Sequence, residues 1–219
     1  MLGARQAWYG RARFDSAMAG GLTMAGVDEV GRGCLAGPVV AAAVILPRTE
    51  DASLDLMCVT DSKKLTAKRR HELANMIRFR AVSIGIGEAN SREIDELNIL
   101  RATQLAMGRA LERLDIPVEL ALVDGNVPAS TSVACLPVIG GDMRSLSIAA
   151  ASIVAKVYRD QWMMRLHRDY PQYGFDSHVG YATKSHLIAL REHGPTPYHR
   201  LSFGPVRDCI GDRRMVESG

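Results

Sequence analysis

Apolar residues recur along the chain with two periods, one of two residues and one of three to four, and the switches between them predict alternating strands and helices. Residues 24–30 (MAGVDEV) read as a short strand and residues 38–47 (PVVAAAVILP) as a buried one, joined as a hairpin through a turn carrying Gly31, Gly33 and Gly37. A helix is expected from Thr66 to about Arg80, and residues 81–89 (AVSIGIGEA) alternate small and branched side chains as a third strand. Asn90 with Glu93 forms a capping-box start for a long helix in which Leu97, Leu100, Met107, Leu111 and Leu114 make a core-facing stripe before Pro117. Two further strands are predicted at 118–125 and 132–140, then a long amphipathic helix over 144–169 and a last helix from Thr183 to His193, stopped by Gly194 and Pro195. The sum is an α/β fold with a five-stranded mixed sheet flanked by helices, its first three strands meandering and its last two entered through helical crossovers. Residues 1–22 read as a loosely ordered extension, residues 23–210 as one domain, and residues 211–219 as a tail.

Composition narrows the class. With 219 residues, 47% of them hydrophobic and 23% charged, the chain carries enough apolar material for a full core, which excludes a disordered chain. The longest apolar stretch, residues 34–47, stops at a proline short of the roughly 20 residues a spanning helix needs. Residues 1–22 hold arginines throughout and no apolar run of signal-peptide length, so a cytoplasmic protein is expected. Cys34, Cys58, Cys135 and Cys209 form no C-x-x-C pair and fit reduced thiols better than zinc or a disulfide framework. The net charge of +3 is only mildly basic, but residues 61–80 concentrate Lys63, Lys64, Lys68, Arg69 and Arg70. A solvated helix face accounts for most of that run, while Lys63 and Lys64 precede the helix and suit phosphate contact.

Four acids fall where strands end or give way to a helix: Asp28, Glu29, Asp124 and Asp142. Each has a plainer reading: Asp124-Gly125 as a turn, Asp142 as a helix cap, Asp28-Glu29 as an exposed strand end. Together they suggest chemistry. If the strands of Asp28 and Asp124 are neighbours, their end carboxylates lie about 5 Å apart, the strand spacing, and repel. An all-oxygen set without His or Cys selects Mg²⁺ or Mn²⁺, and such ions serve phosphoryl transfer. Side chains alternate across a strand, so Glu29 joins Asp28 at one site only if the chain bends at Glu29.

Other arrangements are weaker. Gly31, Gly33 and Gly37 imitate a dinucleotide-binding fingerprint, but Pro38 and a β-rich run follow where that motif requires a helix. The turn instead allows close backbone approach to a ligand, with Arg32 beside it. His186 and His193 show no H-E-x-x-H spacing and read as surface or helix-end residues. Ser145, Ser147 and Ser152 lack a nucleophile elbow and read as caps and small packing residues.

GVDEVGRG at 26–33, DSKKL at 61–65, ELNIL at 96–100, VDGN at 123–126, GD at 141–142 with SIAAASIVAKV at 147–157, YGF at 173–175 and HVGY at 178–181 closely resemble bacterial ribonuclease HII, over about residues 24–208. The resemblance implies a ribonuclease H-like fold with a C-terminal helical segment. It also implies endonucleolytic cleavage of the RNA strand of RNA–DNA hybrids and at single ribonucleotides in duplex DNA, leaving 5′-phosphate and 3′-hydroxyl ends. Matched by motif, Asp28, Glu29, Asp124 and Asp142 become catalytic acids holding Mn²⁺ or Mg²⁺. Gly31, Arg32 and Gly33 approach the ribose, Lys63 and Lys64 hold phosphates, and Tyr181 stacks on the sugar beside the 2′-hydroxyl that distinguishes RNA. Tyr173 competes for that role and reads better as a packing residue. Nothing requires more than a monomer. The alternative from another class is a hybrid or duplex nucleic-acid binding protein without catalysis.

Overall fold

Five strands form one sheet in the computed structural model, which describes residues 2–47 and 65–217. They are β1 (Met24–Val30), β2 (Val39–Ile45), β3 (Ser83–Ala89), β4 (Leu120–Asp124) and β5 (Ala134–Val138), in the spatial order β3-β2-β1-β4-β5. β1 pairs antiparallel with β2 and parallel with β4, and β4 pairs parallel with β5, so the sheet is mixed and β1 is central. Every residue of β2 is buried, which is why it reads as an unbroken apolar run rather than an alternation. The described helices are α1 (Leu2–Ala19), α2 (Ala67–Arg80), α3 (Ser91–Leu97), α4 (Ile99–Glu112), α5 (Gly141–Arg144), α6 (Leu146–Asp169), α7 (Phe175–His178), α8 (Lys184–His193) and α9 (Gly204–Glu217).

The chain groups into two compact units. The first comprises Met1–Val30, Val40–Glu88 and Thr103–Val157. Its main core joins Trp8 of α1, Ala42 and Val44 of β2, Leu73 and Ile77 of α2, and the run of small and branched residues that opens α6. Close approach is bought with glycine: a Cβ on Gly26 of β1 would stand 2.2 Å from the backbone carbonyl carbon of Ser147, so only glycine lets α6 lie this near the central strand. On β3 the small and branched alternation is two-sided. A Cβ on Gly85 or Gly87 would meet the carbonyl oxygen of Ala110 or Ala106 of α4 at 1.9 or 2.0 Å, while Ile84 and Ile86 pack against the main core.

The second unit comprises Gly31–Val39, Ala89–Ala102 and Tyr158–Gly219. Met163, Leu166, Tyr173, Phe175 and Ala189 form one apolar cluster with Ala36; Leu35, Leu190, Val206 and Cys209 form another. Asp95 of α3 accepts from the amides of Leu201 and Ser202 and from the Ser202 hydroxyl, which fixes the chain just before α9.

Several elements differ from the sequence reading. Residues 1–22, expected as a loose extension, contain α1, and Trp8 on it is 1% exposed; Trp8, Ala12, Asp15 and Ala19 share one helix face that the arginines between them disguise. The capping box at Asn90 and Glu93 is present, but the helix it starts ends at Leu97. Asn98 has φ +68° and its side-chain oxygen accepts from the amides of Leu100 and Arg101, so one residue ends α3 and caps α4. Leu100, counted in the core stripe, is exposed. The connection from β4 to β5, residues 125–133, contains no helix. β5 has only five residues, about 16 Å of rise, which an extended loop can climb without a helical crossover. The helix expected over 144–169 breaks at Ser145, and Leu146 through Ala155 are buried rather than amphipathic. α8 is not the last helix: α9 follows, with Pro205 in its first turn, where helical amides lack intrahelical partners anyway.

Candidate active site

The parallel pairing of β1 with β4 runs in step from Met24↔Leu120 to Val27↔Val123, so Asp28 and Asp124 follow as the next residues of adjacent strands. Asp28 is 6% exposed. Burial pushes its carboxyl well above the ordinary carboxylate range; the like charges of Glu29 and then Asp124 push the same way, against hydrogen bonds from the Ser152 side chain and the Glu29 amide. The Glu29 amide donates to Asp28 Oδ1 at 2.7 Å. Glu29 does not lie at a bend. The β1–β2 ladder continues unbroken through Glu29↔Ala41 to Val30↔Val40, and the chain turns at Gly31, where φ is +89°.

Asp124 combines both of its readings: it ends β4, and Gly125 after it turns with φ +90°. Its Oδ1 accepts from the Gly141 amide at 2.7 Å, which draws the start of α5 to the end of β4. Asp142 is the second residue of α5; the cap position is Gly140, so Asp142 is not the helix cap. No group of three or more His, Cys, Asp or Glu side chains among the described residues stands ready to hold a metal ion. The donor set nevertheless fits a hard cation: it is all oxygen, and a buried carboxylate is pressed by two like charges.

In the second unit, two buried arginines hold the glycine turn from within. Arg159 of α6 donates to the carbonyls of Pro38 (3.0 Å), Ala36 (3.1 Å) and Val179 (2.9 Å). Arg200 donates to Gly31 (2.7 Å), Arg32 (2.8 Å) and Gly37 (3.1 and 2.9 Å). Burial lowers the Arg200 pKa to about 10. A Cβ on Gly31 would stand 2.1 Å from Arg159 Nε, so side chain and turn exclude each other there. Cys34 lies fully buried at the same turn, and Arg32 and Gly33 are exposed.

Tyr181 is 42% exposed, its pKa raised by burial of part of the ring and then by Cys34, with which its hydroxyl shares a hydrogen bond. Tyr173 is buried, donates its hydroxyl to the Gly194 carbonyl and stacks on Phe175, as its packing role required. Beneath Tyr181 the histidines form a chain whose tautomers follow from its partners. Thr196 N–H donates to His199 Nδ1, so His199 Nε2–H donates to His186 Nε2, and His186 Nδ1–H donates to the Tyr181 carbonyl. Gly180 N–H donates to His178 Nδ1, leaving Nε2–H for the Tyr173 carbonyl. Burial lowers His186 to about 4 and His199 to about 3, and both are neutral. His186, read as a surface residue, is therefore a buried prop of the segment bearing Tyr181; His193 is exposed at the end of α8.

The remaining candidates resolve as follows. No helix opens at Gly33; β2 follows, which removes the dinucleotide fingerprint. Arg69 pairs with Glu72, and Arg70 donates to the Leu65 carbonyl, so these members of the basic run belong to a solvated face. Lys63 and Lys64 lie outside the described residues. Ser145 caps α6 through the Ile148 amide, but Ser152, read as packing, serves Asp28. Ser152, Arg159, Arg200, Cys34 and the histidine chain are the functional residues that sequence reasoning missed. For Ser152 and Arg159 the available signal was a polar or charged residue inside the apolar run of α6; Cys34, His199 and Arg200 lie outside helices and gave no such signal.

The family model described as Ribonuclease HII matches residues 25–206. Among curated proteins, the Ribonuclease HII of Dechloromonas aromatica is 54% identical over 181 residues, 83% of this chain and 90% of that protein. That of a Polaromonas species is 53% identical over 187 residues, 85% of this chain and 92% of that protein. Among solved structures, ribonuclease H2 from Pyrococcus horikoshii superposes with a TM-score of 0.73 at 25% identity, covering 87% of this chain and 98% of that one. Bst-RNase HIII, solved in complex with Mn²⁺, shares the fold with a TM-score of 0.68 at 21% identity, over 89% of this chain and 71% of that one.

Two stability predictions follow from the site. His186 and His199 have folded pKa values below the ordinary 6.5, so the stability they confer is complete above about pH 6.5 and is lost as pH falls toward 4 and 3. The urea midpoint is expected to fall between pH 7.5 and pH 5; an unchanged midpoint would contradict the neutral chain. Asp28 acts with the opposite sign: its raised value makes its contribution present at low pH and lost as pH rises through that value. Metal-free Asp28→Asn is therefore expected to melt higher than the wild type at neutral pH, and to lose the further rise that millimolar Mn²⁺ gives the wild type. Equal Mn²⁺ stabilisation of both proteins would show that Asp28 holds no cation.

Proposed function

The chain belongs to the ribonuclease HII family and is a ribonuclease H, and from that premise we propose that it cleaves the RNA strand of RNA–DNA hybrids and the phosphodiester beside single ribonucleotides in duplex DNA. The observation that carries the reading is the placement of Asp28, inside β1, at the level of Asp124, which ends the neighbouring β4, with the Asp28 carboxyl pushed up by burial and by its acidic neighbours. Carboxylates so placed repel one another, and a shared cation relieves that repulsion at neutral pH.

Asp28, Asp124 and Asp142 would hold Mg²⁺ or Mn²⁺, in keeping with the Mn²⁺ of Bst-RNase HIII, a protein of the same fold, while Glu29, on an unbent strand, would add its charge from beside Asp28 rather than from the same face. Such ions supply a nucleophilic water and stabilise the departing oxygen. The chain's own part is to aim and to hold. Asp124 accepts from the Gly141 amide at Oδ1, which would hold its carboxylate still for coordination. Asp28 spends Oδ1 on the Glu29 amide, and Ser152 steadies the same carboxylate. In the reaction water adds to phosphorus, the P–O3′ bond breaks and the departing oxygen takes a proton, which leaves 3′-hydroxyl and 5′-phosphate ends.

Recognition of the ribose falls to the second unit. Gly31, Arg32 and Gly33, on a turn braced by Arg159 and Arg200, would approach the ribose with backbone atoms. The exposed Tyr181 ring would stack on the neighbouring sugar. Lys63 and Lys64 would hold phosphates, adding salt-dependent affinity without sequence preference. On this reading the catalytic part takes in α1 as well as residues 23–210, since Trp8 packs in the main core, and it acts as a monomer in the cytoplasm; no described helix is long and apolar enough to cross a membrane.

The test is a duplex containing one ribonucleotide, incubated with protein and Mg²⁺ or Mn²⁺, with Asp124→Asn as control. Cleavage by the wild type and its loss by at least a hundredfold in the variant, with substrate binding retained, are expected. Binding without cleavage by the wild type would favour the non-catalytic alternative. Tyr181→Phe keeps the ring and is expected to lose only a few-fold in kcat/KM, whereas Tyr181→Ala loses the stacking surface and about tenfold or more. Equal rates in the three proteins would place the sugar contact elsewhere.

A further inference from the structure

Between α1 and one end of the sheet the first unit holds a cavity of about 290 Å³ with a mainly apolar lining. Its wall takes Met24 at the start of β1, Ile45 at the end of β2, Val82 just before β3 and Ile116 just before β4. β2 runs antiparallel to β1 with Gly26 level with Val44, and the Val82 amide donates to the Ile45 carbonyl at 2.8 Å, so these residues gather at one end of the sheet. Asp28 lies further along β1, roughly 13 Å from Met24 at the rise of a strand, and Asp124 ends β4 at the same far end.

On the α1 side stand Trp8, 1% exposed, and Arg13 and Ser16, both exposed. The indole N–H of Trp8 is buried and meets no acceptor among the described residues. A buried donor without a partner is costly, and an occupant carrying a carbonyl can supply one. Apolar surface continues outward from the cavity. Leu22 and Val82 line it yet are 42% and 51% exposed, and Phe79, near the end of α2, is 81% exposed with the Arg80 guanidinium 5.3 Å from its ring centre. Exposed apolar side chains grouped at a cavity and rimmed by charge mark a docking surface.

The sign of the rim charge selects the partner. Arg13 lines the cavity, and Arg78 and Arg80 in the last turn of α2 come just before Val82. The acids of this part of the unit each serve a donor of the protein itself. Asp15 Oδ2 accepts from the Ser147 amide at 2.9 Å and from the Ser147 hydroxyl at 2.6 Å, capping the start of α6 from another element. Asp115 accepts from the Ser83 hydroxyl, and Glu119 from the Thr23 amide.

We propose that this cavity docks an acidic peptide segment of a partner protein, whose one bulky apolar side chain fills the cavity while its carboxylates meet Arg13, Arg78 and Arg80. A peptide suits the site better than a hydrocarbon chain because it also brings the carbonyl that Trp8 lacks. Docking at this end leaves Asp28 and Asp124 open, so partner and substrate are held at the same time. The α1 wall precedes the segment matched by the family model, so the site extends beyond that segment.

The probe is a fluorescein-labelled synthetic peptide, DDLFDD, titrated against the full chain by fluorescence anisotropy. Tryptophan emission is followed in a Trp162→Phe background, where Trp8 is the remaining indole. The peptide is expected to bind with a Kd of about 100 µM or lower, more weakly as salt is raised, and to shift the Trp8 emission. KKLFKK, with the charge reversed, and DDSSDD, without the apolar anchor, are expected to bind at least about tenfold more weakly. Arg13→Glu, Val82→Asp and Ser16→Trp, the last plugging the mouth, are each expected to weaken DDLFDD by about tenfold or more, with the melting temperature unchanged. Cleavage of a duplex containing one ribonucleotide is expected to keep its wild-type rate in all three variants and in the presence of saturating DDLFDD. Absence of DDLFDD binding at millimolar concentration, equal binding of KKLFKK, or wild-type affinity in all three variants overturns the proposal; sedimentation of the full chain then shows whether a second copy fills the cavity instead. Inhibition of cleavage by DDLFDD without a shift in Trp8 emission also overturns it, since the peptide would then be competing with substrate at the other end of the sheet.

Discussion

Backbone pairing compels two negative charges to share a small volume. Once β1 and β4 run parallel and in step to Val27↔Val123, the residues that follow are both aspartates, and neither can retreat without breaking the sheet. Water would ordinarily relieve such a pair, but Asp28 is buried. The first unit answers with donors. The Glu29 amide and the Ser152 side chain serve Asp28, and the Gly141 amide serves Asp124. Even the glycine in mid-strand belongs to this arrangement, since only Gly26 admits the backbone of α6 closely enough for that helix to lend Ser152. What remains unrelieved is the charge itself, and that residue of electrostatic cost makes a divalent cation welcome.

The second unit solves the converse problem with neutral partners. Arg159 and Arg200 are both fully buried, and each spends its donors on backbone carbonyls. Withdrawing carbonyls from a buried guanidinium is costly, of the order of 3–5 kcal/mol when a buried charge loses its partner, so the turn and the arginines fix one another. The histidine chain works differently: it carries no charge, and its directionality comes from tautomers set at its ends by Thr196 and Tyr181. One segment is thus held by saturation of a cation and another by a file of neutral rings.

How much of this could be read from the sequence depended on whether the signal was local. The five strands, the capping box at Asn90 and the helix starts at Thr66 and Thr183 are written in adjacent residues, and the structure has them. Asp124 does end β4, as a carboxylate at a strand end suggested, whereas Asp28, also read as a strand end, lies inside β1 with Glu29 and Val30 after it. Asn98 was not, because a left-handed residue that ends one helix and caps the next looks in sequence like any polar interruption of a stripe. α1 was hidden by its own arginines, and Arg159, Arg200 and His186 were hidden by a rule of thumb that sends polar side chains outward. Their partners are backbone atoms far away along the chain, and a carbonyl has no letter in the sequence.

The clasp between Asp15 and Ser147 joins residues 132 positions apart. Synthesis delivers α1 first, and it has no partner at the corner it caps until nearly 150 residues have been made. Contacts of such separation form late and slowly. A clasp of that span can close only after Ser147 has been made, so the start of α6 stays without its Asp15 cap until then.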